Sequence, residues 1–319
     1  MPIPCPTLKK IIRRGTLRAG VSQGIRPLSY KDNLGIWRGF DVDFAQAVAA
    51  ATLGDKGLVE FIPLAPQDRF TSLAKGDVDI LTANATGTLS RDIELGITFV
   101  GVIYYDSEGF LSPKKLKINN ILEIDEPRFA IQAGTTTAQN LSDFFSSRQR
   151  GFSVRSFATP EEAMKEYLSG QYHAYVLDRT ALAAERNQLS SPDDHIILPD
   201  MISKEPMGPF VAEGDEKWWK IVRWVFYALI MLEEVGVSSS TIQSDTVHQT
   251  IVARIQNKIM EATNVMTLPE DWISQIALQT GNYGELFDRH FGVLSELKLP
   301  RALNDLWSRG GLIYAPPFN

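Results

Sequence analysis

Residues 59–84 and 153–178 repeat one pattern, and this echo constrains the fold more than any other feature of the chain. The first reads "VEFIPLAPQDRFTSLAKGDVDILTAN" and the second "SVRSFATPEEAMKEYLSGQYHAYVLD". In each, a β-rich run ends at a proline (Pro66, Pro160), and a stretch with helical apolar spacing follows (Phe70 and Leu73; Met164, Tyr167 and Leu168). A glycine ten residues after the proline (Gly76, Gly170) supplies a helix stop, because glycine enters the left-handed conformation without a Cβ clash. A second apolar run then ends at a polar residue eighteen after the proline, Asn84 in one copy and Asp178 in the other. Each copy therefore predicts a β-α-β unit. Upstream, "TLRAGVSQG" (16–24) and "RFAIQAGTTTAQNLSDFF" (128–145) each read as a strand followed by a small-residue loop. "GFDVDFAQAVAAATLG" (39–54) reads as a helix with Phe44, Ala47, Val48 and Ala51 on its apolar face.

Two such units imply an α/β protein of two lobes, each a mostly parallel sheet flanked by helices. "YYDSEGFLSPKK" (104–115) leaves the first lobe and "SKEPMGPFV" (203–211) returns to it, so lobe 1 is expected over 1–108 plus 206–319 and lobe 2 over 109–205. Residues 212–319 are expected to be helical and to pack on lobe 1, with Trp218, Trp219, Ile221, Val222 and Val225 as core. In open α/β sheets, ligands sit beyond the carboxyl ends of the strands. Asn84, Thr86 and Arg91 follow such an end in lobe 1, and Gly134 to Thr137 and Asp178 follow such ends in lobe 2. If the lobes face one another, these groups converge on one cleft. Arginine offers a rigid fork of donors that matches a carboxylate, threonine hydroxyls and backbone N–H groups add donors, and aspartate accepts from an ammonium. Together they describe a zwitterion, an α-amino acid. The plainer alternatives are a solvated Arg91 at a helix start, an Asp178–Arg179 ion pair and a helix cap at Thr135 to Thr137.

Composition narrows the classes. Of 319 residues, 44% are hydrophobic and 22% charged, which fits a globular chain and not a disordered one. The net charge of -6 argues against nucleic acid, and the cluster Lys9, Lys10, Arg13 and Arg14 reads as a solvated helix face. A single cysteine, Cys5, makes no internal disulfide and no cysteine-based zinc site, and "MPIP" before it is no lipobox. The longest apolar stretch, "WVFYALIML" (224–232), falls well short of the ~20 residues that a membrane span needs. No secretory signal is visible, so either the chain is cytosolic or a signal has been removed and Met1 added.

Rival motifs fail on context. "GVSQG" (20–24) matches the G-x-S-x-G nucleophile elbow, but Pro27 and no helical period follow Ser22. "SPKK" (112–115) matches S-x-x-K, but Pro113 pushes Ser112 out of the helical region that would put it on one turn with Lys115. His173, His195, His248 and His290 lack metal-ligand spacing, and there is no Walker A sequence or dinucleotide fingerprint, so no cofactor and no metal is expected.

The segments "RFTSLAKGDVDIL", "TGTLSRDIELGITFVGVIYYDSEGFL", "IQAGTTTAQNL", "ISKEPMGP", "TGNYGELFDR" and "LWSRGGLIYAPP" resemble the periplasmic solute-binding proteins of polar amino-acid ABC transporters. The last two resemble the general L-amino-acid-binding subgroup in particular. The resemblance runs from about residue 15 to the C-terminus. It implies the type II periplasmic-binding-protein fold with two hinge crossings, closing around one amino acid. It places the carboxylate clamp on Arg91 and the contacts before it on Asn84, Thr86 and Thr88. The second-lobe loop falls on Gly134, Thr135 and Thr136, and the ammonium anchor on Asp178. It also implies a periplasmic location, a membrane permease as partner, a monomer and no catalysis. Two departures stand out. Gly87 occupies a place where the subgroup tends to carry Trp, and Arg26 and Pro27 stand where small residues are usual. Both lie near the expected position of the ligand side chain and tell against broad specificity; Arg26 either favours Glu, Asp or Gln or points to solvent. The rival readings are a dehydratase-like enzyme acting on a carboxylate-bearing ring substrate and a ligand-sensing partner without transport. The first needs a cleft acid beyond the clamp, and the sequence offers no evident one, since Asp106 and Glu108 read as hinge residues.

Overall fold

The structure, a computed structural model, describes residues 5–319; the opening tetrapeptide, read above as no lipobox, lies outside the described residues. The chain opens with α1 (Pro6–Arg14), whose Lys9, Lys10 and Arg13 face solvent while Leu8 and Ile11 are buried. There follow β1 (Leu17–Val21), a short hairpin of β2 (Tyr30–Lys31) and β3 (Trp37–Arg38), α2 (Phe40–Leu53), β4 (Val59–Pro63), α3 (Arg69–Lys75), β5 (Ile80–Leu81), α4 (Leu89–Glu94) and β6 (Ile97–Phe99). The outgoing crossing is β7 (Tyr104–Asp106) running into β8 (Glu108–Pro113). Then come β9 (Arg128–Gln132), α5 (Thr137–Ser146), β10 (Ser153–Phe157), α6 (Pro160–Leu168), β11 (Ala174–Asp178), α7 (Arg179–Gln188) and β12 (His195–Ile197). The return crossing is β13 (Glu205–Met207) and β14 (Phe210–Ala212). The chain finishes with α8 (Glu216–Glu234), α9 (Thr241–Ser244), α10 (Thr246–Lys258), α11 (Met260–Met266), α12 (Trp272–Gln279) and α13 (Tyr283–His290).

Both echoed segments are β-α-β units: β4–α3–β5 and β10–α6–β11. Their stops are the expected ones, with Gly76 at φ 78° and Gly170 at φ 82°. One detail differs: α6 starts at Pro160, capped by the Thr159 hydroxyl accepting from the Glu162 N–H, whereas α3 starts three residues past Pro66, at Arg69. Two five-stranded sheets result, in the orders β4-β1-β5-β14-β6 and β10-β9-β11-β8-β12. In each, the first three strands are parallel and the fourth is antiparallel. The fourth strand in each sheet comes from a crossing segment, β14 in one and β8 in the other. The two crossings lie side by side, since β13 pairs antiparallel with β7, Glu205 opposite Asp106 and Met207 opposite Tyr104. This is the two-lobed type II fold.

The second sheet has its own aromatic core of Phe110, Phe129, Phe144 and Phe145. Against the first sheet, α2 is buried on nearly every face, because α8, α12 and α13 pack over it. Trp218, Ile221, Val222 and Val225 of α8 are in that core, and Trp219 is half-buried against it. The α13 helix is pinned to α2 by Asp43, which accepts from His290 Nε2 at 2.8 Å and pairs with Arg289. Beyond it, Asn304 donates to the Tyr105 carbonyl at 2.9 Å and accepts from its N–H at 2.7 Å, so the C-terminal region braces hinge strand β7. Among the described residues, no helix is long and apolar enough to cross a membrane.

Candidate ligand-binding cleft

The carboxyl ends of β1, β5, β9 and β11 open on one cleft between the sheets. It holds roughly 520 Å³, its open mouth included. Asn84, Thr86 and Arg91 line one wall, and Thr135, Thr136 and Asp178 the other.

On the first wall, Asn84 stands three residues past β5 with φ 40°. Its N–H donates to the Asp41 carboxyl at the start of α2, 2.7 Å away, and its side-chain oxygen accepts from Ser22 Oγ at 2.5 Å. Burial pushes Asp41 up to about 7, against the pull of that N–H. Ser22 is thus a tether for Asn84 and not a nucleophile at a helix start. Thr86 donates its hydroxyl to Glu205 on the return crossing. The Arg91 guanidinium donates to the Thr86 carbonyl at 2.9 Å and lies over the Phe70 ring, 5.0 Å from its centroid. Burial lowers its pKa, and Glu205, Asp178 and Glu108 oppose that shift. Arg91 forms no ion pair among the described residues, which a guanidinium so placed ordinarily would.

On the second wall, Asp178 ends β11 and is buried. It does not pair with Arg179, whose guanidinium instead donates to the carbonyls of Leu198 (2.6 Å) and Asp200 (3.1 Å). Its contact is the Asn84 side-chain amide, 3.4 Å away, so the two echoed strand-end residues meet across the cleft. Burial, then Asp106, Glu108 and Glu205, hold the Asp178 carboxyl well above the usual carboxylate range. Thr135 donates to the Gln132 carbonyl at 3.0 Å, and Thr137 donates to Glu108.

Three expected site residues, Thr88, Gly134 and Arg26, stand elsewhere, as does Gly87. Thr88 is the N-cap of α4 and accepts from the Arg91 N–H at 3.3 Å, so it sets the helix and not the cleft wall. Gly134, at φ 75°, brings its loop against the opposite lobe; a Cβ there would sit 3.0 Å from the Gln67 nitrogen. Gly87 backs onto Phe99, 2.7 Å from where a Cβ would be, so any larger residue at that position requires the Phe99 ring to shift. Arg26 is a correction: its guanidinium lies over the Tyr30 ring, 4.0 Å from the centroid, in a separate groove with Asn187, Gln188 and Arg289.

Sequence reading also missed three groups. Glu108, expected only as a hinge residue, lines the cleft and is 3% exposed. Asn140 donates to both Glu108 and Glu205, 2.9 Å each. Burial, then Glu205, push Glu108 up to about 7. Glu108 is therefore an acid in the cleft beyond the Arg91 clamp, where the sequence offers no evident candidate. Arg69, at the start of α3, is 5% exposed and lines the cleft, as does Gln132 at the end of β9. Arg69 sits just before the apolar run of α3, and nothing in its spacing separates it from a solvated helix-start arginine. Among the described residues, no group of three His, Cys, Asp or Glu side chains is placed to hold a metal ion.

The profile of the bacterial extracellular solute-binding proteins, family 3, matches residues 17–293. The glutamate/glutamine/aspartate/asparagine-binding protein BztA of Rhodobacter capsulatus is 39% identical over 98% of this chain and 93% of its own. The general L-amino acid-binding periplasmic protein AapJ of Rhizobium johnstonii is also 39% identical, over 98% and 92%. A solved periplasmic binding protein from Brucella ovis, with glutathione bound, superimposes at a TM-score of 0.91 with 38% identity, covering 98% of this chain and 99% of that one.

Proposed function

The chain belongs to the bacterial extracellular solute-binding proteins, family 3, and from that premise we propose that it binds a free L-amino acid in the cleft and hands it to an ABC-transporter permease outside the cytoplasmic membrane. One observation carries this reading. Arg91 on one wall and Asp178 on the other are both substantially buried, and neither forms an ion pair among the described residues. An α-carboxylate at Arg91 and an α-ammonium at Asp178 would pair both at once, and that pairing offsets the cost of burying charge. The ligand would then favour the arrangement in which the lobes meet. We place the lobe boundaries at the crossings, with 1–108 plus 206–319 as lobe 1 and 109–205 as lobe 2.

A thermal-shift screen over the twenty amino acids tests this, because a ligand that binds only the folded state raises the melting temperature. At least one amino acid is expected to raise it, and no shift with any of them overturns the reading. Small-angle scattering should show a smaller radius of gyration with that amino acid than without it. Glu108 favours a second reading, in which a cleft acid serves a dehydratase reaction on a carboxylate-bearing ring substrate. Product formed from arogenate or prephenate would support it.

A further inference from the structure

Among the described residues, four buried side-chain polar atoms lack a hydrogen-bond partner: Arg69 Nε, Thr82 Oγ1, Gln132 Oε1 and Tyr175 OH. Of these residues only Arg69 and Gln132 line the cleft, one on each wall. We propose that Arg69, with Gln132 facing it from the other lobe, reads the ligand's side chain, and that the side chain ends in a carboxylate or a carboxamide. This inference rests on the amino-acid reading above and narrows it.

Arg69 is not consumed by structure. One Nη1 bond, 2.8 Å to the Ala83 carbonyl, fixes the guanidinium, and Nε is left without an acceptor. It makes no ion pair among the described residues, and a buried arginine without a partner is rare. Burial and then the Arg91 charge push its pKa down to about 9, so it stays cationic at neutral pH, near Asp178 and Asp41 but paired with neither. A single α-carboxylate gripped by Arg91 leaves this second cation unmatched. A second oxygen-bearing group on the ligand matches it.

The spacing suits one molecule. The guanidinium carbons of Arg69 and Arg91 each lie 5.0 Å from the centroid of the same Phe70 ring, so they stand no more than twice that, about 10 Å, apart. A guanidinium carbon sits about 4 Å from the carbon of a carboxylate that it grips. The two terminal carbons of a four- or five-carbon amino acid span roughly 4–5 Å. One such ligand can therefore reach both arginines. Gln132 suits either end group. Its oxygen accepts from a carboxamide NH2, and its own amide, turned over, donates to a carboxylate. A hydrocarbon side chain would leave the Arg69 Nε–H and the Gln132 carboxamide unpaired, and a site built to hydrogen-bond rejects an analogue that lacks the group. Arg26 cannot substitute, since it stacks on Tyr30 outside the cleft.

Titration calorimetry on the intact protein tests this with three probes: L-glutamine, L-glutamate and L-norvaline, which keeps the five-carbon chain but ends in a methyl. Glutamine or glutamate should bind at least tenfold tighter than norvaline. Arg69→Met should reduce that advantage to threefold or less, and Gln132→Leu should reduce it in part. Norvaline binding as tightly as both polar probes overturns the proposal on the wild-type protein alone, whether or not the variants fold. An advantage that survives both substitutions, with native circular dichroism, also overturns it. So does binding of other amino acids with none of glutamate or glutamine. No binding by any of the twenty amino acids is a different failure, that of the amino-acid reading itself.

Discussion

The two lobes share a backbone plan and divide the charge. Each builds its sheet from three parallel strands in the same relative order and takes its fourth strand, antiparallel, from a crossing segment. Each ends its echoed β-α-β unit in a polar residue at the cleft, and those residues meet: the Asn84 amide lies 3.4 Å from the Asp178 carboxylate. Yet Arg69 and Arg91, neither in an ion pair among the described residues, are both on the first wall, while Asp178 and Glu108 belong to the second sheet. A molecule with the cations and acids mixed on one wall would satisfy itself. With the charges separated, full pairing calls for a ligand that carries both signs.

Removing the cationic side should have the largest effect. Arg91→Ala is expected to cost at least about 3 kcal/mol of binding, more than a hundredfold, because two charge-assisted hydrogen bonds are lost at roughly 1.5–3 kcal/mol each. Calorimetry with a parallel circular dichroism spectrum checks it. Near-native affinity in a folded variant would show that the first wall does not hold the carboxylate.

The acidic side should give a smaller and more selective loss. Asp178→Asn keeps the shape and removes the charge, and should weaken α-amino acids by about 2 kcal/mol, roughly thirtyfold, by leaving an ammonium under-paired. Deaminated analogues, which keep the carboxylate alone, should lose far less. Equal losses for both ligand classes would mean that Asp178 supports the fold and not the ligand.

The sheets were legible because their cause is local. Proline, helical spacing, glycine and a terminal polar residue recur at fixed intervals, and each has a steric reason to sit there. The subgroup motifs near the C-terminus are local too. In "TGNYGELFDR", Asn282 and Glu285 form a reciprocal cap on α13. The cleft was legible only in part. Arg91 and Asp178 line the cleft as the sequence predicts, because each follows a strand end. Glu108 reads as a hinge residue because nothing in its neighbours reveals Glu205, ninety-seven positions later, beside it. Arg26 lies outside the cleft because a loop's direction depends on packing, here on Tyr30, that no periodicity records.

Glu108 offers a test of the acidic wall that needs no ligand. Burial and the adjacent Glu205 raise its pKa to about 7 from an ordinary 4.5. The folded protein thus holds this proton more tightly than the unfolded chain does. Stability from this group is complete below pH 4.5 and is lost as pH rises through about 7. Asp41, at about 7, and Asp106, at about 6, act in the same direction. The melting temperature should therefore fall between pH 5 and pH 8. Glu108→Gln should flatten part of that fall, recovering on the order of 1–2 kcal/mol at pH 8 and less at pH 5. A variant that tracks the wild type at every pH would show that crowded acids are not a feature of the second wall.

Asn84 is the counterpart of Asp178 by position and should matter least. It is neutral, so its loss from the cleft removes only the contacts to Ser22 and Asp178 and should weaken an amino acid by about 1 kcal/mol, a few-fold. Its backbone is the more demanding feature. At φ 40° it occupies the left-handed region, where asparagine and glycine are at ease and alanine costs about 1 kcal/mol. Asn84→Gly and Asn84→Ala should therefore weaken binding alike but differ in stability, with the glycine variant the more stable by about 1 kcal/mol, the reverse of the usual order. Urea unfolding separates the two variants, and calorimetry compares them with Asp178→Asn. If Asn84→Gly costs as much binding as Asp178→Asn, charge is not what distinguishes the two echoed positions, and the ammonium would be held by both strand ends and not by the acid alone.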